Sequence, residues 1–371
     1  MIEEFQTSDI RFVLSKDELG YKEVLMDFAN AKKIRIVTYN ISMSSKDDKL
    51  FELIGELGED LDVELITNIP SRFETYYDSP RGKTMKNNAS KNIATYISKL
   101  NPSNFSTELV TFFNFSNHAK IIGTENVVYI GSSNFSNESS NNYESGFLSK
   151  DKTFINYLYE VVFKILKEES VPYYKDDFNN LRLFIISLLS RLNNHYRLIK
   201  KKMFYDGDAF ITEETAFDVN ELLNLLSDVE ELSYITNLVD DLETEEKDIK
   251  EKLDEMRELC ESIQHGEIED ILQIDGNIYN YVAYSHEGAF WDFFENYSLE
   301  ADTERLEHYV EIATDEANEM LENLCSEAEE DVYILRKLLG NTIELLKELL
   351  ENLKSYAQFA INKDEIDNTL Y

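Results

Sequence analysis

The chain is poor in the residues that staple, bend and interrupt a fold. Its 371 residues include two cysteines, four prolines, twelve glycines and one tryptophan. The cysteines, Cys260 and Cys325, both fall inside helical patterns, which excludes a disulfide framework and suits a reducing cytoplasm. The longest apolar run, LFIISLL at 183–189, is far too short to span a bilayer. The opening MIEEFQTSDI has no apolar core of the kind a signal peptide needs, so a cytoplasmic protein that does not enter membranes is expected. There is no P-loop, no G-x-G-x-x-G and no His, Cys and carboxylate set at metal-ligand spacing, so neither a metal nor a cofactor is expected. No repeat of fixed period and no low-complexity tract occurs. With 43% hydrophobic and 12% aromatic residues, the chain is not disordered, and its length allows two domains with their own cores.

Positive charge is scarce, and unevenly so. The formal net charge is −37. Residues 1–170 carry 19 Lys and Arg against 25 Asp and Glu, whereas the remaining 201 carry 17 against 48. The acidity therefore belongs to the C-terminal half, and such a surface repels nucleic acid and anionic membrane. A polyanionic substrate would have to be held by local basic patches. The loop SRFETYYDSPRGKTMKNNASKN gathers Arg72, Arg81, Lys83, Lys86 and Lys91. It reads either as a solvated loop or as a phosphate-tracking rim that adds affinity without sequence selectivity.

Strand and helix patterns alternate over the first half. Residues 21–31 read as a helix, 32–42 as a buried strand, SKDDKLFELIGEL as a helix and DVELITNI as a second strand, which suggests an α/β sandwich. The helix KTFINYLYEVVFKILKEE is expected to present Phe154, Leu158, Val161, Val162 and Ile165 on one face. Around Pro172 lies the expected boundary between a domain at 1–172 and a helical one at 173–371. In the second, residues 178–202 read as a central or dimer-forming helix. A series of Ile235, Val239, Leu242, Glu246, Ile249, Leu253, Met256, Cys260 and Ile263 suggests a coiled coil or long helical hairpin. Residues 303–360 read as two amphipathic helices broken near Gly340. The aromatic stretch from Gln273 to Tyr297 reads as packed core or as an aromatic binding surface.

The chemistry concentrates between Asn117 and Phe147, NHAKIIGTENVVYIGSSNFSNESSNNYESGF. IIG, a TEN turn and VVYIG make a hairpin. His118 and Lys120 stand two apart, so on a strand they share a face. Gly131-Ser132-Ser133-Asn134 makes a turn that brings donors back toward them, and Glu144 opens the next short strand. An imidazole, a cation, two neutral donors and a carboxylate are the parts for attacking a phosphodiester. None of the other four histidines begins a second H-x-K.

The order H-x-K-x4-acid followed by G-S-x-N resembles the signature of the phospholipase D superfamily, in its nuclease-like branch. His118, Lys120, Ser132 and Asn134 match position by position, and Glu125 stands where the pattern has Asp. The resemblance covers residues 1–170 and implies a phospholipase D-like sandwich with a mixed β-sheet, followed here by an all-α domain. It implies metal-free phosphodiester hydrolysis. One histidine forms a phosphohistidine, and a second protonates the leaving oxygen and then activates water. Lysines and asparagines hold the non-bridging oxygens. Glu144 is the carboxylate expected to orient His118. The family's site uses two such motifs, so a single motif implies a homodimer sharing one site. The expected substrate is nucleic acid, DNA before RNA, in a restriction or phage-defence setting. The alternatives are a phospholipase or phosphatidyl-transfer enzyme, or a non-catalytic interaction protein. The acidic helical domain is expected to dimerise, regulate or bind a protein partner.

Overall fold

The Ile- and Val-rich runs β3 (Lys33–Thr38) and β4 (Asp62–Thr67) lie side by side and parallel in a mixed sheet. The other strands are β1 (Ile2–Gln6), β2 (Ile10–Ser15), β5 (Leu109–Phe113), β6 (Ile121–Thr124), β7 (Val128–Gly131), β8 (Glu144–Ser149) and β9 (Val171–Pro172). Their order is β1-β2-β8-β7-β6-β3-β4-β5-β9. β3, β4 and β5 run parallel, and every other pairing is antiparallel. This is a computed structural model, and it describes residues 2–6, 10–42, 49–58, 61–69, 89–135, 137–174, 176, 178–242, 247–298 and 306–368. The chain divides into two units, Met1–Ser187 and Leu188–Tyr371.

Central strands are apolar on both faces because both faces are covered. Val37, Ile66, Phe112, Ile121 and Val128 pack against Ile155, Leu158, Tyr159 and Phe163. Ile34, Ile36, Val63 and Leu65 alternate to the opposite face and are fully buried. The covering helix begins at Lys152–Tyr157, capped by Asp151, and passes through a π turn at Leu158–Val162 into Phe163–Glu168. The face expected from the sequence is the wrong one in part. Phe154, Val161 and Ile165 are exposed, while Ile155, Tyr159 and Phe163 meet the sheet. The segment carries two apolar stripes, and the one rich in bulky residues at 155, 158, 159, 162, 163 and 166 won the core.

Among the described residues the C-terminal unit is helical apart from turns and a small hairpin, Phe204–Tyr205 with Ala209–Phe210. Of the heptad-like series, Ile235 and Val239 fall on the helix Ser233–Asp240 and Ile249, Leu253, Met256 and Cys260 on the helix Lys247–Glu261, with Leu242 and Ile263 just past their ends. The two helices pack on each other and are joined by Arg257 and Asp240 at 3.0 Å. That is the hairpin alternative. Glu246 lies outside the described residues. The break expected near Gly340 is absent: Leu306–Asn368 is one helix of 63 residues, about 95 Å long at 1.5 Å per residue. A lone glycine costs a helix only about 1 kcal/mol. At Gly340 the place of a side chain is bordered by the Tyr196 ring. In the aromatic stretch Tyr281 and Tyr284 are buried, whereas Trp291 is 52% exposed. No helix among the described residues is long and apolar enough to cross a membrane.

Candidate active site

The sheet order decides where the chemistry gathers. β3 and β4 end at the same edge at which antiparallel β6 begins, β7 ends and β8 begins. Residues flanking those strand ends, far apart in sequence, therefore meet at the carboxyl ends of the parallel strands, where open α/β sheets bind ligands.

His118 and Lys120 lie just before β6, outside the ladder, yet on the same side: Lys120 Nζ is 3.4 Å from His118 Nδ1 and donates to the His118 carbonyl at 2.8 Å. The imidazole-bearing residue is exposed and the lysine is 8% exposed. Burial pushes the Lys120 ammonium below the usual lysine value, and the Glu144 carboxylate pulls it back up. The segment bearing His118 is pinned by its neighbour Asn117, which donates to the Thr38 carbonyl at 2.8 Å and accepts from Ala119 N at 3.0 Å. Asn68, just past β4, donates to the Asn117 carbonyl at 3.3 Å.

The turn after β7 comes alongside: Gly131 N donates to the Lys120 carbonyl at 3.2 Å. Its shape depends on Tyr129, fully buried, whose hydroxyl bonds Ser133 Oγ and the Ser145 carbonyl, both at 3.2 Å. A methyl at Gly146 would come within 2.5 Å of that ring, so glycine there makes room for the buttress. Asn40 Oδ1 and Asn134 Oδ1 are buried at this edge with no hydrogen bond, orphans of the kind functional sites keep.

Glu144, expected to orient His118, is bonded here to Ser132. Its carboxylate accepts from Ser132 Oγ, which in turn accepts from Ser145 N at 3.1 Å. The reason is topological: β7 and its turn stand between β8 and β6, so Glu144 reaches the serine first. Glu125 stands at the far end of β6, where its carboxylate accepts from the backbone N–H groups of Lys32 and Lys33 at 3.0–3.2 Å. It fastens the hairpin turn to the start of β3 and does not join His118. Arg72, Arg81, Lys83 and Lys86 lie outside the described residues, and Lys91 is described for its backbone alone, in the helix Ala89–Lys99. Among the described residues no group of three His, Cys, Asp or Glu side chains could hold a metal ion.

Residues 25–179 match the family described as "Cardiolipin synthase, PLD-like domain". This part of the chain is a phospholipase D-like domain. Its class is that of the phospholipase D-type phosphodiesterases. Among solved structures, the phospholipase D family member Nuc from Salmonella typhimurium is 15% identical, with 44% of this chain and 97% of that one covered and a TM-score of 0.29. NucT from Helicobacter pylori is 15% identical over 44% and 99%, with a TM-score of 0.29. Phosphatidylserine synthase from Haemophilus influenzae is 12% identical over 44% and 38%, with a TM-score of 0.30. Likeness at this level says nothing of activity. No curated protein matches the chain in sequence.

One residue of the phospholipase D-like domain at this edge escaped the sequence reading. Tyr39, in the loop after β3, lays its ring 4.6 Å from the His118 ring, centroid to centroid, and 5.4 Å from Lys120 Nζ. Its loop is braced from behind, since Ile41 N donates to the Tyr96 hydroxyl at 3.0 Å and Lys99 Nζ to the Ser42 carbonyl at 2.7 Å. An electron-rich face beside the Lys120 ammonium favours that cation. Tyr39→Leu is expected to lower kcat roughly tenfold, the scale of a partly desolvated cation–π contact, with Tyr39→Phe near wild type. Equal losses in the two variants would shift the role from the ring to the hydroxyl. No sequence pattern marks Tyr39, because its partners come from a segment about 80 residues away.

Lys120 also carries a stability prediction for the domain. A buried ammonium whose pKa is lowered disfavours the folded state wherever it stays protonated. Lys120→Met should therefore raise stability at neutral pH while removing activity. As pH rises through the lowered value, the folded chain sheds the proton before the unfolded chain does. Wild type then gains, and the difference between the two proteins narrows. Urea unfolding at neutral and alkaline pH checks both; a less stable Lys120→Met would show that the contacts of the ammonium outweigh its burial.

Proposed function

We propose that the protein is a nuclease that works through a phosphohistidine on His118, in a site completed by a second copy of the chain. The observation that carries this reading is the exposed His118 held beside the buried ammonium of Lys120, at the strand edge where the Ser132–Asn134 turn also arrives.

An imidazole nitrogen of His118 attacks phosphorus, and the bond to the leaving oxygen breaks. That oxygen takes a proton from the histidine of the second copy. The same histidine then removes a proton from water, and the resulting hydroxide attacks phosphorus and returns His118 to its starting form. Lys120 and the Asn134 amide meet the non-bridging oxygens, where negative charge accumulates. Ser132, tied to Glu144, shapes the turn that presents Asn134. One domain supplies one histidine to this scheme, which is why the reading includes a homodimer with two-fold symmetry. The motif pattern of the single-motif nuclease branch supports nucleic acid as substrate. The matched family's description names a cardiolipin synthase, and that favours phosphatidyl transfer as the second reading.

Cleavage of single- and double-stranded DNA and RNA, and turnover of phospholipid micelles, should be measured in excess EDTA. Cutting of polynucleotide, with lipid left intact, is expected. Turnover of lipid alone would replace the nuclease reading by the second one, and dependence on a divalent cation would remove the metal-free mechanism.

A further inference from the structure

The edge that carries His118 does not stop at β8. The ladder between β2 and β8 pairs Ser15 with Glu144, and Ser15 Oγ donates to the Glu144 carbonyl at 3.4 Å. Lys16 and Tyr143 therefore meet one residue past the paired ends, next to the carboxylate that holds Ser132. The Lys16 ammonium lies 4.7 Å from the centroid of the Tyr143 ring, and Tyr143 is still 61% exposed. The two loops are latched together. Asp17 N donates to the Ser140 carbonyl at 2.6 Å, tying the turn after β2 to the 3-10 turn Asn137–Asn141. Asp17 adopts φ 61°, a left-handed conformation that non-glycine residues take at a cost. The platform is thus built with its aromatic ring left open to solvent.

β8, which follows Tyr143, stands two strand spacings from β6 in the sheet, and β2, which precedes Lys16, stands three, roughly 10 and 14 Å at about 4.8 Å each. A single phosphodiester at His118 does not reach that far, whereas a short polymer lying along the strand ends does. A solvent-open aromatic ring with a cation at its face is the pairing that single-stranded nucleic acid recognises, the ring stacking a base and the cation meeting a phosphate. In a duplex the base faces are already stacked on each other.

We propose that Tyr143 and Lys16 form a nucleotide subsite that stacks one base of a single-stranded polynucleotide whose scissile phosphate lies at His118. This rests on the nuclease reading and narrows it to single strands. On binding, the base takes the ring and the Lys16 ammonium turns to the neighbouring phosphate.

The test compares two probes of equal length and charge, a twelve-residue oligothymidylate and its abasic counterpart, by fluorescence anisotropy and by cleavage. Wild type should bind the base-bearing strand about tenfold or more tightly than the abasic one. Tyr143→Ala should bring that ratio to near one, and Tyr143→Phe should keep it. Lys16→Gln should weaken both probes alike and flatten the logarithmic salt dependence by about 0.7. A wild type that binds both strands equally, or a ratio unchanged in Tyr143→Ala, overturns the subsite while cleavage of oligothymidylate upholds the nuclease. Failure of wild type to bind or cut either probe overturns both.

Discussion

His118→Ala should lower phosphodiester cleavage by about four to six orders of magnitude, as removal of a nucleophile does in other covalent enzymes. The size of the effect follows from the site. Among the described residues no other histidine stands at this strand edge, so no second imidazole of the same chain can take its place at phosphorus. The same substitution should leave unfolding almost unchanged, because His118 is exposed and, among the described residues, its side chain meets Tyr39 and Lys120. Loss of activity without loss of stability is therefore the expected pair of results, read from product formation on a labelled oligonucleotide and from a melting curve. Retention of even a hundredth of the activity would remove His118 from the nucleophile's place. If two copies share the site, an excess of His118→Ala mixed into wild type and re-equilibrated should also suppress the wild-type activity, because the mixed dimer holds one histidine where two are needed.

Asp228→Ala should destabilise the C-terminal unit by about 3–5 kcal/mol, the cost of stranding buried charge. Asp228 is fully buried and binds two partners from the helix Asn179–Lys202: Arg191, and His195 through Nε2 at 2.7 Å. Arg191 also donates to Glu231 at 2.6 Å. Burial works against the Arg191 charge, but the Asp228 and Glu231 carboxylates overcome it and hold the guanidinium above its usual value. Without Asp228 that cation keeps Glu231 but loses the more deeply buried carboxylate, and His195 loses the bond to Nε2 while its Nδ1 already has no hydrogen bond. Trp291, the one tryptophan of the chain, lies in this unit, so its fluorescence follows the relevant transition during urea unfolding. A shift equivalent to less than about 1 kcal/mol would show that packing alone holds these helices and that the ion network adds nothing.

Much of the phospholipase D-like domain is legible along the chain, for a local reason. Buried strands in a sheet covered on both faces must be continuous apolar runs, so β3 and β4 announce themselves in IRIVT and VELIT. The hairpin of β6 and β7 is visible because turn residues punctuate two short apolar runs. β1 and β2 are not legible in this way: IEEFQ and IRFVLS are short and mixed, and β1 owes its place to pairing with β2, which in turn pairs with β8, about 130 residues on. The helix at 152–168 has two apolar stripes of similar strength, and its period cannot say which one a sheet will cover. A glycine inside a long helical pattern, as at Gly340, reads as a stop when its packing against Tyr196 is out of sight.

By itself the sequence determined the central strands and their hairpin, the helical second half with its −31 share of the charge, and the pairing of His118 and Lys120. All of these depend on neighbours within a few residues, or on composition. Only the tertiary structure decided which distant residues attend that pair. Strand order put β7 between β8 and β6, and so gave Glu144 to Ser132 rather than to His118. Strand direction carried Glu125 to the opposite edge and brought Tyr39 under the imidazole. Those outcomes turn on the lateral order of strands in a sheet, which hydrogen bonds between far-apart segments set and which no local pattern of residues encodes.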